Sequence, residues 1–478
     1  MKISYIEPIT ENKKRVERIF GCSFTNYPLP NIYMLIIFGF LEKKHECVYN
    51  QDFLYFEDDA KLRNFLDSDK SDAYLMFSVN LSMETDVSLA KRIFKIAPNK
   101  KIIFLGPAPT FYTDKFMLNE NTYVVRGEPD FTILELIEAL QVKKPLKNIA
   151  GVSYINKGKT VHNKARKIIE NLDVLAFPAR HLIKKDVFYN PKLGLRPFTV
   201  MLTSRGCSHR CIYCVPCALS FARQIEFQKG KNNFIKPQVR MRSPKNIIKE
   251  FKLLKNQGYK AISIIDDQFV WGRERTLKIC EGIKDLGLAW GCLSRADHLD
   301  EEIVRALSEA GCKYVDIGVE SFVQGILDYT KKDVTAEKLI WGIKLLKKYK
   351  IFVKLNILFG ASPLETKETI NETLDKIKEI EPDQVMFDVC SPFPGTEFYD
   401  IAKKENWILG GAYTPIDVAR SAHINYQHLS NEELQKVVHR ANLRFFLSPK
   451  FIIKNIWRLK KPSSIIDGIA ATMKKLFQ

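Results

Sequence analysis

The stretch Ser204-Arg-Gly-Cys-Ser-His-Arg-Cys-Ile-Tyr-Cys-Val-Pro-Cys217 constrains this chain more than any other. Cys207, Cys211 and Cys214 stand at the spacing Cys-x3-Cys-x2-Cys, directly after the apolar run Phe198-Thr-Val-Met-Leu202. That run reads as a buried strand, which puts the cysteines on a loop leaving its C-terminal end. Three thiolates so close in sequence can wrap one metal centre but cannot pair off among themselves without strain. Structural zinc takes two ligand pairs separated by a longer loop, and no second CxxC or HxxxH follows. A ferredoxin-type cluster wants a first gap of two and a distant fourth cysteine. A disulfide framework suits a secreted chain, and Met1-Lys-Ile-Ser-Tyr-Ile reads as a strand and not as a secretory signal. Chance clustering of buried cysteines is the bland alternative. What remains is a cubic iron–sulfur cluster with three protein thiolates and one iron open to a small molecule.

Cys207, Cys211 and Cys214, with Tyr213 before the last cysteine, resemble the signature of the radical S-adenosylmethionine enzymes. The resemblance implies a [4Fe-4S] cluster whose open iron chelates S-adenosylmethionine. It further implies reductive cleavage to a 5′-deoxyadenosyl radical, fed by an external electron donor of flavodoxin or ferredoxin type. Cys217 is extra: a fourth ligand is one reading, and a spare or substrate-side thiol is the preferred one.

Residues 1–145 alternate apolar runs (Lys2–Ile6, Tyr74–Ser78, Ile102–Gly106, Tyr123–Val125) with helical patterns (Asn31–Lys43, Met83–Ile96, Phe131–Leu140). Such alternation predicts a doubly wound parallel sheet, Rossmann-like, with ligands at the C-terminal strand ends. Tyr27-Pro-Leu-Pro30, Leu105-Gly-Pro-Ala-Pro-Thr110 and Tyr123-Val-Val-Arg-Gly-Glu128 resemble the cobalamin-binding domain that precedes the barrel in one branch of radical enzymes. By that resemblance Gly106, Pro107, Arg126, Gly127 and Glu128 would meet cobalamin. The pattern Asp-x-His-x-x-Gly is absent: Asp52-Phe-Leu-Tyr-Phe-Glu57 offers no histidine to the cobalt. Residues 146–195 read as a connector, with a hairpin over Gly151–Val161. Arg180 and His181 read as surface residues of this bridge.

From residue 196 to 396 the pattern is strictly β/α. The run before the cysteines is followed by strands Ala261–Ile265, Ala289–Leu293, Lys313–Val319, Phe352–Phe359 and Gln384–Cys390, with helices between them. Six such units predict a partial barrel, with chemistry at the C-terminal strand ends. Polar groups stand at those ends. By the family resemblance, Asp266 or Asp267 would meet the amino group of S-adenosylmethionine and Arg295 its carboxylate. Glu320 and Ser321 would bind ribose or amino group, and Phe393 with Gly395 would line the adenine. A zwitterion needs one anion, one cation and a flat apolar slot, so each role is physically sensible.

Residues 397–478 leave the barrel as a helical, basic extension. A helix begins at Leu429-Ser-Asn-Glu-Glu433, and Pro449 breaks it. In the following segment Phe451, Ile452, Ile456 and Leu459 can share a face flanked by Lys450, Lys454, Arg458 and Lys461. A basic amphipathic helix of this kind suits the anionic inner face of a membrane, and a helix packed on the barrel is the alternative. The net charge of +19 calls for an anionic partner. No aromatic-rich nucleic-acid module accompanies it, which argues against RNA or DNA. Ten cysteines and no secretory signal predict a cytoplasmic protein. The function expected is hydrogen abstraction from an unactivated carbon, leading to cobalamin-dependent C-methylation of a small or lipid-like substrate. Radical cyclisation, ring rearrangement or C–C coupling is one rival, and a non-enzymatic iron–sulfur protein the other. The strand-end polar residues argue against the last.

Overall fold

The computed structural model describes residues 1–10, 12–25, 27–50, 54–229, 236, 238–411 and 421–456. Two compact units partition the chain, one holding 1–208, 215–293 and 309–313 and the other 209–214, 294–308 and residues from 314 onward.

The first unit opens with a seven-stranded sheet. Its strands are β1 (Lys2–Tyr5), β2 (Glu46–Tyr49), β3 (Ala73–Phe77), β4 (Lys101–Leu105), β5 (Thr122–Val125), β6 (Val152–Asn156) and β7 (Lys159–His162). Their order is β2-β1-β3-β4-β5-β6-β7, parallel through β5, with β6 and β7 added as an antiparallel hairpin. The hairpin read from the sequence as part of a connector therefore completes this sheet. β3 is apolar at every position and buried on both faces, as a central parallel strand should be. Helix α1 (Ile32–Leu41) is apolar all round and almost wholly buried. Gly39 is required on it: a Cβ there would lie 2.4 Å from the Phe177 carbonyl oxygen, because the segment before the barrel crosses the helix at this point. Helices α2 (Asp59–Asp69), α3 (Met83–Ile96) and α4 (Asp130–Gln141) complete the covering, and strand β2 and helix α2 escaped the sequence reading.

The same unit carries three parallel strands ordered β8 (Phe198–Met201), β9 (Ala261–Ile264) and β10 (Ala289–Ser294). Between β8 and β9 lie helices α5 (Ala218–Gln228) and α6 (Pro244–Asn256), the latter capped by the Ser243 hydroxyl with proline in its first turn. Arg180 proves not to be a surface residue. It is 2% exposed, pairs with Glu250 at 2.7 Å and donates to Thr199 Oγ1 and the Val200 carbonyl. His181 does remain exposed, beside Glu42 at 2.9 Å. The basic stretch Arg223–Arg242 is also partly interior, since Arg223, Arg240 and Arg242 are all buried.

The second unit has parallel strands β11 (Cys312–Glu320), β12 (Phe352–Phe359) and β13 (Gln384–Val389), alternating with α8 (Glu301–Glu309), α9 (Ala336–Lys348) and α10 (Lys367–Ile380). The connecting α7 (Arg273–Ile283) belongs to the first unit. Each unit carries three of the six β/α repeats read from the sequence. α11 (Glu397–Lys404) and α12 (Asn431–Phe446) follow, α12 starting on a capping box of Ser430 and Glu433.

α13 (Pro449–Ile456) ends the described chain. Phe451, expected on a shared exposed face, instead packs against Phe445 and Phe446 at 5.0 and 5.2 Å, while Ile452 and Ile453 are exposed. Leu459, Arg458, Lys461 and the rest of the tail lie outside the described residues. No helix among the described residues is long and apolar enough to cross a membrane.

Candidate functional site

The cysteine loop is held from behind by acidic side chains at the end of β9. Asp267 accepts the Gly206 amide at 2.9 Å and the Cys217 amide at 2.6 Å, gripping the backbone at both ends of the loop. Asp266 is wholly buried and accepts the Thr203 amide at 2.6 Å, the Thr203 hydroxyl and the Ser204 hydroxyl. Burial raises the pKa of both carboxyls, against the hydrogen bonds that favour their charge. Both carboxylates, read from the sequence as candidates for the amino group, shape the loop. Cys217 is the first turn's cap on α5, 1% exposed, with its thiol 3.2 Å from Ser220 Oγ, and burial followed by Asp267 pushes its pKa well up. A thiol so held resists becoming a thiolate ligand.

The stem of the loop is bolted to the N-terminal sheet. Arg205 is fully buried and donates two parallel bonds to Asp130 at 2.8 and 3.0 Å, at the start of α4. Its ladder partner Arg240 pairs with Glu128 at 2.5 Å, and Glu128 also lies 3.6 Å from Arg205. Arg126 meets Glu226 of α5 at 3.1 Å and donates to Val152, Ser153 and Asn163. Gly127 holds φ at +70°, and a Cβ there would touch Glu226. Gly106 (φ +110°) is demanded by the Ser78 carbonyl, 2.5 Å from where a Cβ would stand, and Pro107 is buried in the first turn behind it. The five residues expected at cobalamin are thus engaged with the protein itself. Asp52 lies outside the described residues.

In the second unit, Cys211 is buried and Cys214 half-buried, the turn between them closed by Cys214 N to Cys211 O at 3.2 Å. Ile212 between them is anchored through Thr330 O (3.1 Å) and Phe398 N (3.0 Å). Glu320 ends β11 just after a register shift, with φ +68°, a conformation that costs a non-glycine residue about 1 kcal/mol. Its Oε1 accepts from Lys332 Nζ at 2.9 Å, both side chains largely buried. Burial alone would lower the Lys332 pKa, but Glu320 and the Cys211 sulfur hold it above its ordinary value. Burial, then Glu320, push the Tyr213 phenol well up. Arg295 sits beside this pair, donating to both Asp297 oxygens (3.0 and 2.9 Å) and to Lys332 O (2.8 Å). His209 from the cysteine loop meets His298 at 3.2 Å.

Tyr213, Arg295, Glu320 and the unforeseen Lys332 are thus gathered around Cys211. The only sequence signal for Lys332 was a basic pair, Lys331-Lys332, which reads as surface. Ser321 is not gathered: 1% exposed, it spends its hydroxyl on Thr373 and the Val323 amide. Phe393 is buried in the tight turn after β13, where Gly395 adopts φ +97°.

The donor set fits a [4Fe-4S] cube. All ten cysteines are thiols, and the ammonium of Lys332 would meet the negative charge that Cys211 brings as a thiolate. Among the described residues no three His, Cys, Asp or Glu groups converge on one ion, and a cube holds each thiolate on a different iron.

Residues 201–377, which carry the cysteine loop and the strands after it, match the family described as Radical SAM superfamily. The family's resident groups are a [4Fe-4S] cluster and S-adenosylmethionine. Over 96% of its length the chain is 29% identical to an uncharacterized methyltransferase of Pyrococcus horikoshii, covering 95% of that protein. It is 24% identical to the anaerobic magnesium-protoporphyrin IX monomethyl ester cyclase of Cereibacter sphaeroides over 65% of this chain and 49% of the cyclase. In fold, 95% of the chain matches 67% of OxsB, a cobalamin-dependent S-adenosylmethionine radical enzyme, at a TM-score of 0.68 and 16% identity. The methyltransferase TsrM of Kitasatospora setae, solved with cobalamin and cluster, matches at 0.64 and 15% identity, over 84% of this chain and 75% of that one.

Proposed function

We propose that this enzyme methylates an unactivated carbon of a small molecule, with cobalamin as the methyl carrier. The observation that supports it is the fold of nearly the whole chain, shared with cobalamin-dependent radical enzymes and joined to a full-length methyltransferase relative. When bound, the cluster supplies the electron that splits S-adenosylmethionine into methionine and the 5′-deoxyadenosyl radical. Cys207, Cys211 and Cys214 would hold it, and Asp267 sets the backbone span they occupy. Glu320, paired with Lys332 at 2.9 Å, would accept ribose hydroxyls or the ammonium group. Arg295 would offer positive charge to the carboxylate, shared with Asp297. The buried phenol of Tyr213 stays protonated and closes the wall beside Cys211. Cobalamin, when bound, supplies the methyl group; no side chain is assigned to it, because those expected to touch it are taken up by the domain contact. An external one-electron donor of flavodoxin or ferredoxin type completes the cycle.

Stoichiometry tests this reading. Methylation consumes two molecules of S-adenosylmethionine per product, giving one 5′-deoxyadenosine and one S-adenosylhomocysteine. Cyclisation gives 5′-deoxyadenosine without S-adenosylhomocysteine. The cyclase relative keeps that second reading open. Mass spectrometry of anaerobic reactions separates the two, and a ratio with no S-adenosylhomocysteine overturns methylation.

A further inference from the structure

Helix α6 has two unlike faces. Ile247, Phe251 and Leu254 are fully buried, and its one acid, Glu250, is buried as well, between Arg180 and Arg242. Lys245, Lys249, Lys252 and Lys255 are exposed, and their spacing of four, three and three puts them in one stripe along the outside. None of these lysines forms an ion pair among the described residues. Other helices match a lysine with an acid one turn away: Lys278 with Glu274 at 2.6 Å on α7, and Lys376 with Glu379 at 2.7 Å on α10. Lysines three and four apart repel one another, and an anionic surface laid along the stripe relieves that repulsion. Past the helix, Lys260 is exposed and Lys185 donates to the Gln257 carbonyl at 2.6 Å, so both add positive charge to the far end.

The near end of the stripe begins at the stem of the cysteine loop. Met241, 42% exposed, stands opposite Ser204 in a short antiparallel ribbon, and the Arg242 amide donates to the Thr203 carbonyl at 2.9 Å. Cys207 follows three residues after Ser204, in the same unit as α6. The face offers charge and little else. A helix lying in a lipid interface inserts an apolar side, and α6 has spent its own on the core. Its one aromatic residue, Phe251, is buried, so the stripe presents no ring for a nucleic-acid base to stack on. A small, charged contact is what a transient electron-transfer complex uses.

We propose that the outer face of α6, from Met241 to Lys260, docks the external electron donor, a small protein whose one-electron carrier is ringed by carboxylates. One electron passes from the reduced carrier to the cluster: the carrier is oxidised, the cluster is reduced, and no bond or proton moves. The inference rests on the reading of Cys207, Cys211 and Cys214 as the cluster's ligands. Attraction between the stripe and an acidic donor raises the rate of encounter, and salt screens it.

The experiment uses the reconstituted full chain with S-adenosylmethionine, reduced either by an acidic flavodoxin at limiting concentration or by dithionite. Formation of 5′-deoxyadenosine is the readout. In Lys249→Glu/Lys252→Glu the flavodoxin-supported rate should fall at least tenfold while the dithionite-supported rate holds. Lys249→Arg/Lys252→Arg should keep both rates. Lys338→Glu/Lys344→Glu, on the outside of α9, changes the net charge equally and should also keep both. A carbodiimide, which joins amines to carboxylates in contact, should link the parent to flavodoxin through the lysines of α6. An undiminished flavodoxin rate in a folded Lys249→Glu/Lys252→Glu, an equal loss in the α9 variant, or cross-links that avoid α6 overturns the proposal. So does binding of the parent to anionic vesicles that Lys249→Glu/Lys252→Glu loses while its flavodoxin rate holds, a result that assigns the face to a lipid surface. The cross-links read out even where a variant does not fold. Absence of 5′-deoxyadenosine with both reductants, at full iron content, would instead overturn the reading of the cysteines.

Discussion

Cys207, Cys211 and Cys214 carry the cluster in this reading, and Cys217 does not. Replacing any of the first three with alanine should abolish the four-iron absorption and iron content after anaerobic reconstitution. Cys217→Ala should retain both, because that thiol is sealed under α5 beside Ser220. Loss of iron in Cys217→Ala with retention in one of the others would reverse the assignment. Lys332→Met tests the second cluster of charges. It leaves Glu320 buried without its cation, and a charge so stranded costs about 3–5 kcal/mol. S-adenosylmethionine binding by equilibrium dialysis should weaken by tenfold or more while iron content stays. Glu365 offers a pH test. It is buried, accepts the Gly360 amide, and desolvation pushes its pKa up to about 8. Between its ordinary value near 4.5 and about 8, the folded state therefore binds a proton that the unfolded chain has lost. Stability falls as pH rises through that window. Glu365→Gln should flatten the fall, raising the apparent melting temperature at pH 8 relative to pH 5; an unchanged slope would exclude Glu365 as its source.

At the scale of elements, the segment Arg126–Asp130 is a clasp between the N-terminal sheet and the stem of the cysteine loop. Asp130→Asn removes the nearer of the two carboxylates at buried Arg205 and leaves it only Glu128 at 3.6 Å, which Arg240 shares, at a cost of up to about 3–5 kcal/mol. The variant should lose iron to a chelator several-fold faster than the parent, and Asp130→Glu should restore part of the difference. Equal rates for parent and Asp130→Asn would reduce the clasp to an ordinary ion pair. Much at this scale was legible beforehand. Helix α3 matches its expected range, the six barrel strands fall within two residues of theirs, and Gly258, Gly287 and Gly311 take positive φ at the ends of their helices. β2, α2 and α5 were missed. Glu46–Tyr49 is short, and the helical pattern of Ala218–Gln228 was obscured by Arg223, which turns out to be buried and to donate to the Arg166 carbonyl.

For the whole molecule, the sequence by itself determined the class of protein. Three cysteines at fixed spacing behind a buried strand, followed by strictly alternating β and α periods, depend only on local geometry and hydrophobic pattern. Those survive in one dimension. The occupations of the polar residues were decided by tertiary structure. Asp266, Asp267, Arg126, Glu128 and Ser321 looked like ligand contacts because they stand at strand ends. Each is held by a partner distant in sequence, such as Ser204 for Asp266 or Glu226 for Arg126. Lys332, to which the sequence reading gave no role, is buried against Glu320. A buried polar group must find a partner, and the partner is chosen by which loops the fold brings together, from as far as a hundred residues away. Spacing along the chain does not carry that information.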